Sequence, residues 1–141
     1  MINKIKAKPS RILIYADGSS LGNPGPGGYA ATTRAMDGNN EVDSLTVTGG
    51  SHMTTNSKME MMAVIAALDA LAEPSGTPIV IRSDSQMLIK GASEWLPNWI
   101  KHNWRRADKR PVANVDLWKR IAAHIEALEI TWEWEIGRAH V

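Results

Sequence analysis

The sequence predicts an α/β domain built on a mixed five-stranded sheet, with elements in the order βββαβαααβ. Three observations carry this. Ile12 to Ala16 is apolar without a polar break, as in a strand buried on both faces. Two strand-like segments follow with a strong turn signal between them, which makes an antiparallel meander. From Asn56 the apolar period changes to 3.6, and the helix it marks leads into another short apolar strand; a strand, helix, strand succession normally makes a parallel pair with a right-handed crossover.

Met1 to Ser10 carries Lys4, Lys6 and Lys8 with no acid and reads as a short basic lead-in. The first strand meets Asp17 and then GSSLGNPGPGG, a loop so rich in Gly, Pro, Ser and Asn that no regular element is expected to continue through it. Gly28 to Met36 and Glu41 to Thr48 are the next two strands, with Asp37-Gly38-Asn39-Asn40 as the turn. GSHM at Gly50 to Met53 resembles a cloning scar, but it lies mid-chain between strand and helix and is read as native. A helix is expected over Asn56 to Leu71, its buried stripe made of Met59, Met62, Ala63, Ala66, Ala67, Ala70 and Leu71. Pro74, Gly76 and Pro78 stop it. Ile79 to Ile81 is a short buried strand, followed by helices over Gln86 to Gly91, Ser93 to Trp104 and Val115 to Leu128 and a last strand over Glu129 to Trp134.

One domain is expected from 141 residues, a length that buries roughly two thirds of the unfolded surface around one core. Sixteen basic and fifteen acidic residues leave a net charge of +1, so affinity for an anionic partner has to come from local clustering. The chain has no cysteine, which excludes disulfides, thiolate metal sites and thiol nucleophiles and fits a reducing cytoplasm. No stretch has the length of a membrane span or the pattern of a signal peptide. A soluble, cytoplasmic monomer is expected.

Three carboxylates attract attention. Asp17 closes the first strand, Glu60 is expected in the first turn of the long helix, and Asp84 closes the strand that helix leads into. Each has a structural alternative: Asp17-Gly18 as a turn, Ser57 to Glu60 as a capping box, Asp84 as the N-cap of the next helix. One arrangement serves all three, with strand ends at one sheet edge and a helix N-terminus beside them. Gathered acids repel and raise one another's pKa unless a cation neutralises them, and oxygen-only ligands suit a hard divalent ion. A second feature is Trp95 to Trp118, where Trp95, Trp99, Trp104 and Trp118 alternate with Lys101, Arg105, Arg106, Lys109 and Arg110. Aromatic faces among cations make a nucleic-acid groove; the alternative is a helix pair with a Trp core and a solvated basic face.

The segments YADGSSLGNPGPGGYA, TTNSKMEMMAVIAALDAL, SDSQMLIKGASEWLPNW and ADKRPVANVDLWKRI, in this order, resemble the ribonuclease H family, type 1, of the bacterial kind. The resemblance runs over roughly Ile12 to Trp134. It implies a ribonuclease H-like sheet, three antiparallel strands followed by parallel additions, with helices on both faces. It implies endonucleolytic hydrolysis of the RNA strand of RNA/DNA hybrids by two Mg2+ ions, Mn2+ being the alternative, leaving 5'-phosphate and 3'-hydroxyl ends. Asp17 is then the bridging ligand, with Glu60 and Asp84 completing the ion on the leaving-group side. Asn23, Asn56 and Gln86 meet the minor groove and the 2'-hydroxyls, Thr55 and Asn114 a DNA phosphate, and Trp95, Trp99, Lys101, Arg105 and Arg106 the DNA strand. Ser57 replaces an Asn common in the motif, and Pro97 and Ile100 replace more polar residues.

The resemblance divides the chain into a lead-in (1–10), a ribonuclease H domain incomplete at its C-terminus (11–134) and a non-family tail (135–141). After the last strand the family continues with a glycine/histidine loop and a helix carrying a fourth carboxylate. Here Arg138 stands where the loop histidine is expected, with His140 a shifted candidate, and no Asp follows Asp116. Without the fourth group, impaired activity is expected, and a hybrid-binding module with weak or no cleavage is the alternative. EIGRAHV is also what one reading frame of a common short-read sequencing adapter encodes. The hypothesis is that Glu135 to Val141 is not biological sequence and that the gene continues; resequencing the source DNA tests it, and a native stop codon there refutes it.

Overall fold

The structure is a computed structural model, and it describes residues 9–71 and 76–135. Five strands, β1 (Arg11–Ser20), β2 (Gly25–Asp37), β3 (Asn40–Thr54), β4 (Ile79–Ser83) and β5 (Ile130–Trp134), form one sheet in the order β3-β2-β1-β4-β5. β1 to β3 are antiparallel; β4 runs parallel to β1, and β5 parallel to β4. The predicted mixed sheet is therefore present, with β1 at its centre. Expectations that fall on Met1 to Lys8, Pro74, Arg138 and His140 lie outside the described residues.

Alternation along β1 explains the core. Ile12, Ile14 and Ala16 point to one face and are buried there with Ile79 and Ile81 of β4. α1 (Asn56–Asp69) packs against that face through Val64, Ile65 and Leu68 among others, and α4 (Val115–Ala127) packs on α1 and adds Ile121 to the same core. The opposite face carries Tyr15, half-buried between the guanidinium groups of Arg34 and Arg82, each 5.6 Å from its ring centre.

Several boundaries differ from expectation, each for a physical reason. β1 does not stop at Asp17 but stays paired with β2 to Ser20, and GSHM belongs to β3. Glycines in this stretch admit close neighbours instead of breaking the strand: a Cβ on Gly18 would lie 2.4 Å from the carbonyl carbon of Met59, inside α1. On α1 the fully covered residues are Met59, Met61, Ala63, Val64, Ile65, Ala67 and Leu68; Met62, Ala66, Ala70 and Leu71 are only partly buried. A helix that is apolar nearly all round gives period alone little to act on.

The third predicted helix is also rearranged. α2 (Gln86–Lys90) passes through a π-helical turn, Gly91–Trp95, into α3 (Leu96–Lys101), and the helix ends there and not at Trp104. The turn accommodates Trp118, whose ring would lie 2.3 Å from a Cβ on Gly91. Asn103 and Trp104 take left-handed conformations with φ of 56° and 63°, which no helical residue adopts.

Candidate active site

β1, α1 and β4 bring the three predicted carboxylates to one edge of the sheet. Asp17 is exposed near the end of β1, and its Oδ1 accepts the Gly18 backbone N–H at 2.9 Å. Asp84 is exposed immediately after β4. Glu60 is half-buried in α1, and its carboxyl is pushed up to about 7: burial is the largest cause, and the charges of Asp84 and Asp17 push the same way. The charges of Asp17 and Asp84 thus both reach Glu60.

The structural alternatives for these acids fail one by one. Asp17 is in a paired strand, not a turn. The cap of α1 is Thr55, whose hydroxyl accepts the Lys58 N–H at 3.2 Å, so Ser57 to Glu60 is not a capping box. The cap of α2 is Ser85, which accepts the Leu88 N–H at 3.2 Å, so Asp84 is free of that duty.

Sequence reasoning missed two supporting residues. The buried Ser85 hydroxyl donates to Glu60 and works against the upward pressure on its pKa. At the end of β5 the Trp134 indole N–H donates to the Asp84 carbonyl at 3.1 Å. The cap position was the available signal for Ser85; only the register of β5 reveals Trp134.

The predicted substrate residues fall into two groups. Asn23, Thr55, Asn56 and Gln86 lie on the loop and helix starts around the carboxylates, with Asn23, Asn56 and Gln86 exposed. Trp95, Trp99, Arg105, Arg106 and Asn114 line a groove of about 1000 Å³ that Ser57 of α1 and Met87 of α2 also border, which brings it alongside the acids. Lys101 is exposed on α3 but does not line the groove. Trp95 is 40% exposed and stands 5.8 Å from Trp99, which stands 5.3 Å from the buried Trp118. Trp118 and the half-buried Trp104 are thus structural, and Trp95 is the aromatic face presented outward. Asp108 pairs with Arg106 at 3.3 Å, and Arg105 donates to the Lys109 carbonyl at 3.1 Å, so the basic turn is internally braced.

The candidate ligands among the described residues, Asp17, Glu60 and Asp84, offer carboxylate oxygens, a chemistry that fits hard divalent cations and not soft ones. Among the described residues, however, no three acidic, His or Cys side chains close into a ready-made metal cage. Asp17 and Asp84 are both exposed and Glu60 is half-buried.

Comparison with known proteins agrees with the geometry. The sequence profile described as RNase H matches residues 9–140. The chain is 48% identical to the Ribonuclease H of Enterobacter sp. (strain 638) over 129 residues, covering 92% of this chain and 79% of that protein. Against the Ribonuclease H of Proteus mirabilis (strain HI4320) the figures are 46%, 92% and 77%. The crystal structure of LC9-RNase H1, a type 1 RNase H with the type 2 active-site motif, superposes with a TM-score of 0.78 at 26% identity, covering 95% of this chain and 66% of that one. A foamy viral protease-reverse transcriptase in complex with RNA/DNA hybrid shares the fold, with a TM-score of 0.69 at 21% identity over 97% of this chain and 20% of the viral one. By sequence and by fold, this chain belongs to the ribonuclease H family of enzymes.

Proposed function

We propose that the chain hydrolyses the RNA strand of RNA/DNA hybrids endonucleolytically, leaving 5'-phosphate and 3'-hydroxyl ends, with divalent ions held by Asp17, Glu60 and Asp84. The observation that carries this is the placement of Asp17 near the end of β1, Glu60 in α1 and Asp84 just after β4; the Glu60 carboxyl, raised mainly by burial, also feels the charges of Asp84 and Asp17, which a cation would relieve. Mg2+ is the expected ion, with Mn2+ the alternative. Bound there, two such ions supply positive charge to the attacking water and to the leaving 3'-oxygen. Asp17, Glu60 and Asp84 would hold these ions, with Glu60 and Asp84 serving the leaving-group side. The Ser85 hydrogen bond favours the ionised form of Glu60 against the burial that raises its pKa.

Recognition falls to the exposed polar residues and the groove. Asn23, Asn56 and Gln86 meet the minor groove, where the 2'-hydroxyl distinguishes RNA from DNA. The Thr55 hydroxyl accepts a backbone N–H, leaving its proton to donate to a DNA phosphate beside Asn114. Trp95, Trp99, Arg105 and Arg106 accompany the DNA strand, with Lys101 contributing charge from outside the groove. The foamy viral protease-reverse transcriptase, part of which shares this fold, is itself a protein solved in complex with RNA/DNA hybrid. The protein acts as a cytoplasmic monomer.

The second reading is a hybrid-binding module of the same fold that cleaves weakly or not at all. A labelled RNA/DNA hybrid incubated with the chain and Mg2+ or Mn2+ separates the two. Cleavage that Asp17→Asn abolishes supports the enzyme, retention without cleavage supports the binder, and neither binding nor cleavage refutes both.

A further inference from the structure

The loop joining β1 to β2 is locked to the start of α1 by a closed polar network. The Ser20 backbone N–H donates to Asn56 Oδ1 at 2.7 Å, and the Asn56 backbone N–H donates to Asn23 Oδ1 at 3.0 Å. A backbone N–H can only donate, so the atom it meets on each amide is the oxygen, and both side-chain orientations follow. The Ser20 hydroxyl sits among three acceptors: the Gly22 carbonyl, Asn23 Oδ1 at 3.1 Å and Asn56 Oδ1 at 3.3 Å. Its proton is the side-chain hydrogen shared among them.

Asn23 and Asn56 are both exposed. With each Oδ1 engaged inward, the outward chemistry of each amide is its two Nδ2 hydrogens. We propose that Ser20 is a positioning residue of substrate recognition, setting the Asn23 and Asn56 amides so that each meets nucleic acid with N–H donors alone. This rests on the reading of those two residues as substrate contacts. A donor-only surface selects acceptors: the ribose 2'-oxygen, purine N3 and pyrimidine O2 of a minor groove. A flipped amide would turn its carbonyl oxygen against the lone pairs of purine N3 and pyrimidine O2, and would meet the 2'-hydroxyl only through that group's own proton. Without the Ser20 proton each amide oxygen keeps only its backbone N–H, and the hold on the amide orientation weakens.

The test uses the full chain in metal-free buffer, with fluorescence anisotropy of a labelled RNA/DNA hybrid and a DNA duplex of the same sequence. Ser20→Ala is expected to reduce the hybrid-over-DNA preference about three- to tenfold, the effect of one neutral hydrogen bond. Ser20→Thr, which keeps the hydroxyl, restores it. Full preference in Ser20→Ala, or its equal loss in Ser20→Thr, overturns the inference. An unaltered chain with no hybrid preference overturns the substrate reading itself, and the inference with it. A second measurement needs no variant: the Asn23 and Asn56 side-chain amide signals in 15N–1H NMR shift when hybrid is added, and signals that stay in place refute the role of Ser20.

Discussion

Gly18 and Met59 are in direct backbone apposition: a Cβ added to Gly18 would fall 2.4 Å from the Met59 carbonyl carbon and 2.6 Å from the Glu60 N. The strand bearing Asp17 and the helix bearing Glu60 are thus held together one residue away from both acids. Gly18→Ala is expected to force them apart, destabilising the fold by about 1–3 kcal/mol, as overpacking does. Hydrolysis falls at least about tenfold, because displacing ligands by an ångström disrupts positioned chemistry. Thermal melting and initial cleavage rates check the two effects separately.

Glu60 links stability to pH. Its folded pKa of about 7 stands above the ordinary 4.5, with burial the main cause. Between those values the folded chain binds more protons than the unfolded one. The stability this group contributes is therefore full below about pH 4.5 and is lost as pH rises through 7. Discounted for its partial exposure, the loss is on the order of 1–2 kcal/mol. Ion-free melting curves between pH 5 and 8 are expected to show this slope, and Glu60→Gln to lack it. Binding of Mg2+ at pH 6 displaces a proton from Glu60 that binding at pH 8.5 does not, which calorimetry in buffers of different ionisation heat detects.

Ser85 serves two partners, and its loss separates them. Ser85→Ala removes the α2 cap, which costs about 0.5–2 kcal/mol in the melting curve. It also removes the hydrogen bond that lowers the Glu60 pKa, so that pKa rises further. Ion affinity at pH 7 falls in consequence and recovers at pH 9; a pH-independent loss would refute the link to Glu60.

The groove makes a prediction about salt. Arg105→Ala and Arg106→Ala are each expected to weaken hybrid binding and to make the slope of log affinity against log salt shallower by about 0.7–0.9, one phosphate contact each. Trp95→Ala weakens binding without changing the slope, because stacking releases no counterion. Titrations from low to moderate salt distinguish the two behaviours.

Far from the acids, Asp69 at the end of α1 binds Arg120 at 2.8 Å and His124 at 2.6 Å, both on α4. The cluster is partly exposed, so Asp69→Asn is expected to cost only about 0.5–1 kcal/mol. Added salt masks part of that loss in thermal melts. Cleavage at saturating hybrid stays unchanged.

Much of this architecture was legible from residue order. Ile12 to Ala16, the Asp37 to Asn40 turn and the apolar strand at Ile79 each carry a local signal, and the sheet follows from their succession. The three acids were legible as candidates because each ends or begins an element. Trp134 was not, since its indole meets the Asp84 carbonyl only once β5 is in register with β4. The continuation of β1 to Ser20 was equally hidden: glycine reads as a loop until the partner that needs its missing Cβ is known.

By itself, then, the sequence determined the order and period of the elements, the carboxylates at their ends and the family they resemble, because these depend on near neighbours along the chain. The tertiary structure alone decided the caps at Thr55 and Ser85, the π-helical turn that admits Trp118, and the pressure on Glu60 from Asp84 and Asp17. Those depend on groups far apart in sequence that meet only after the core has closed.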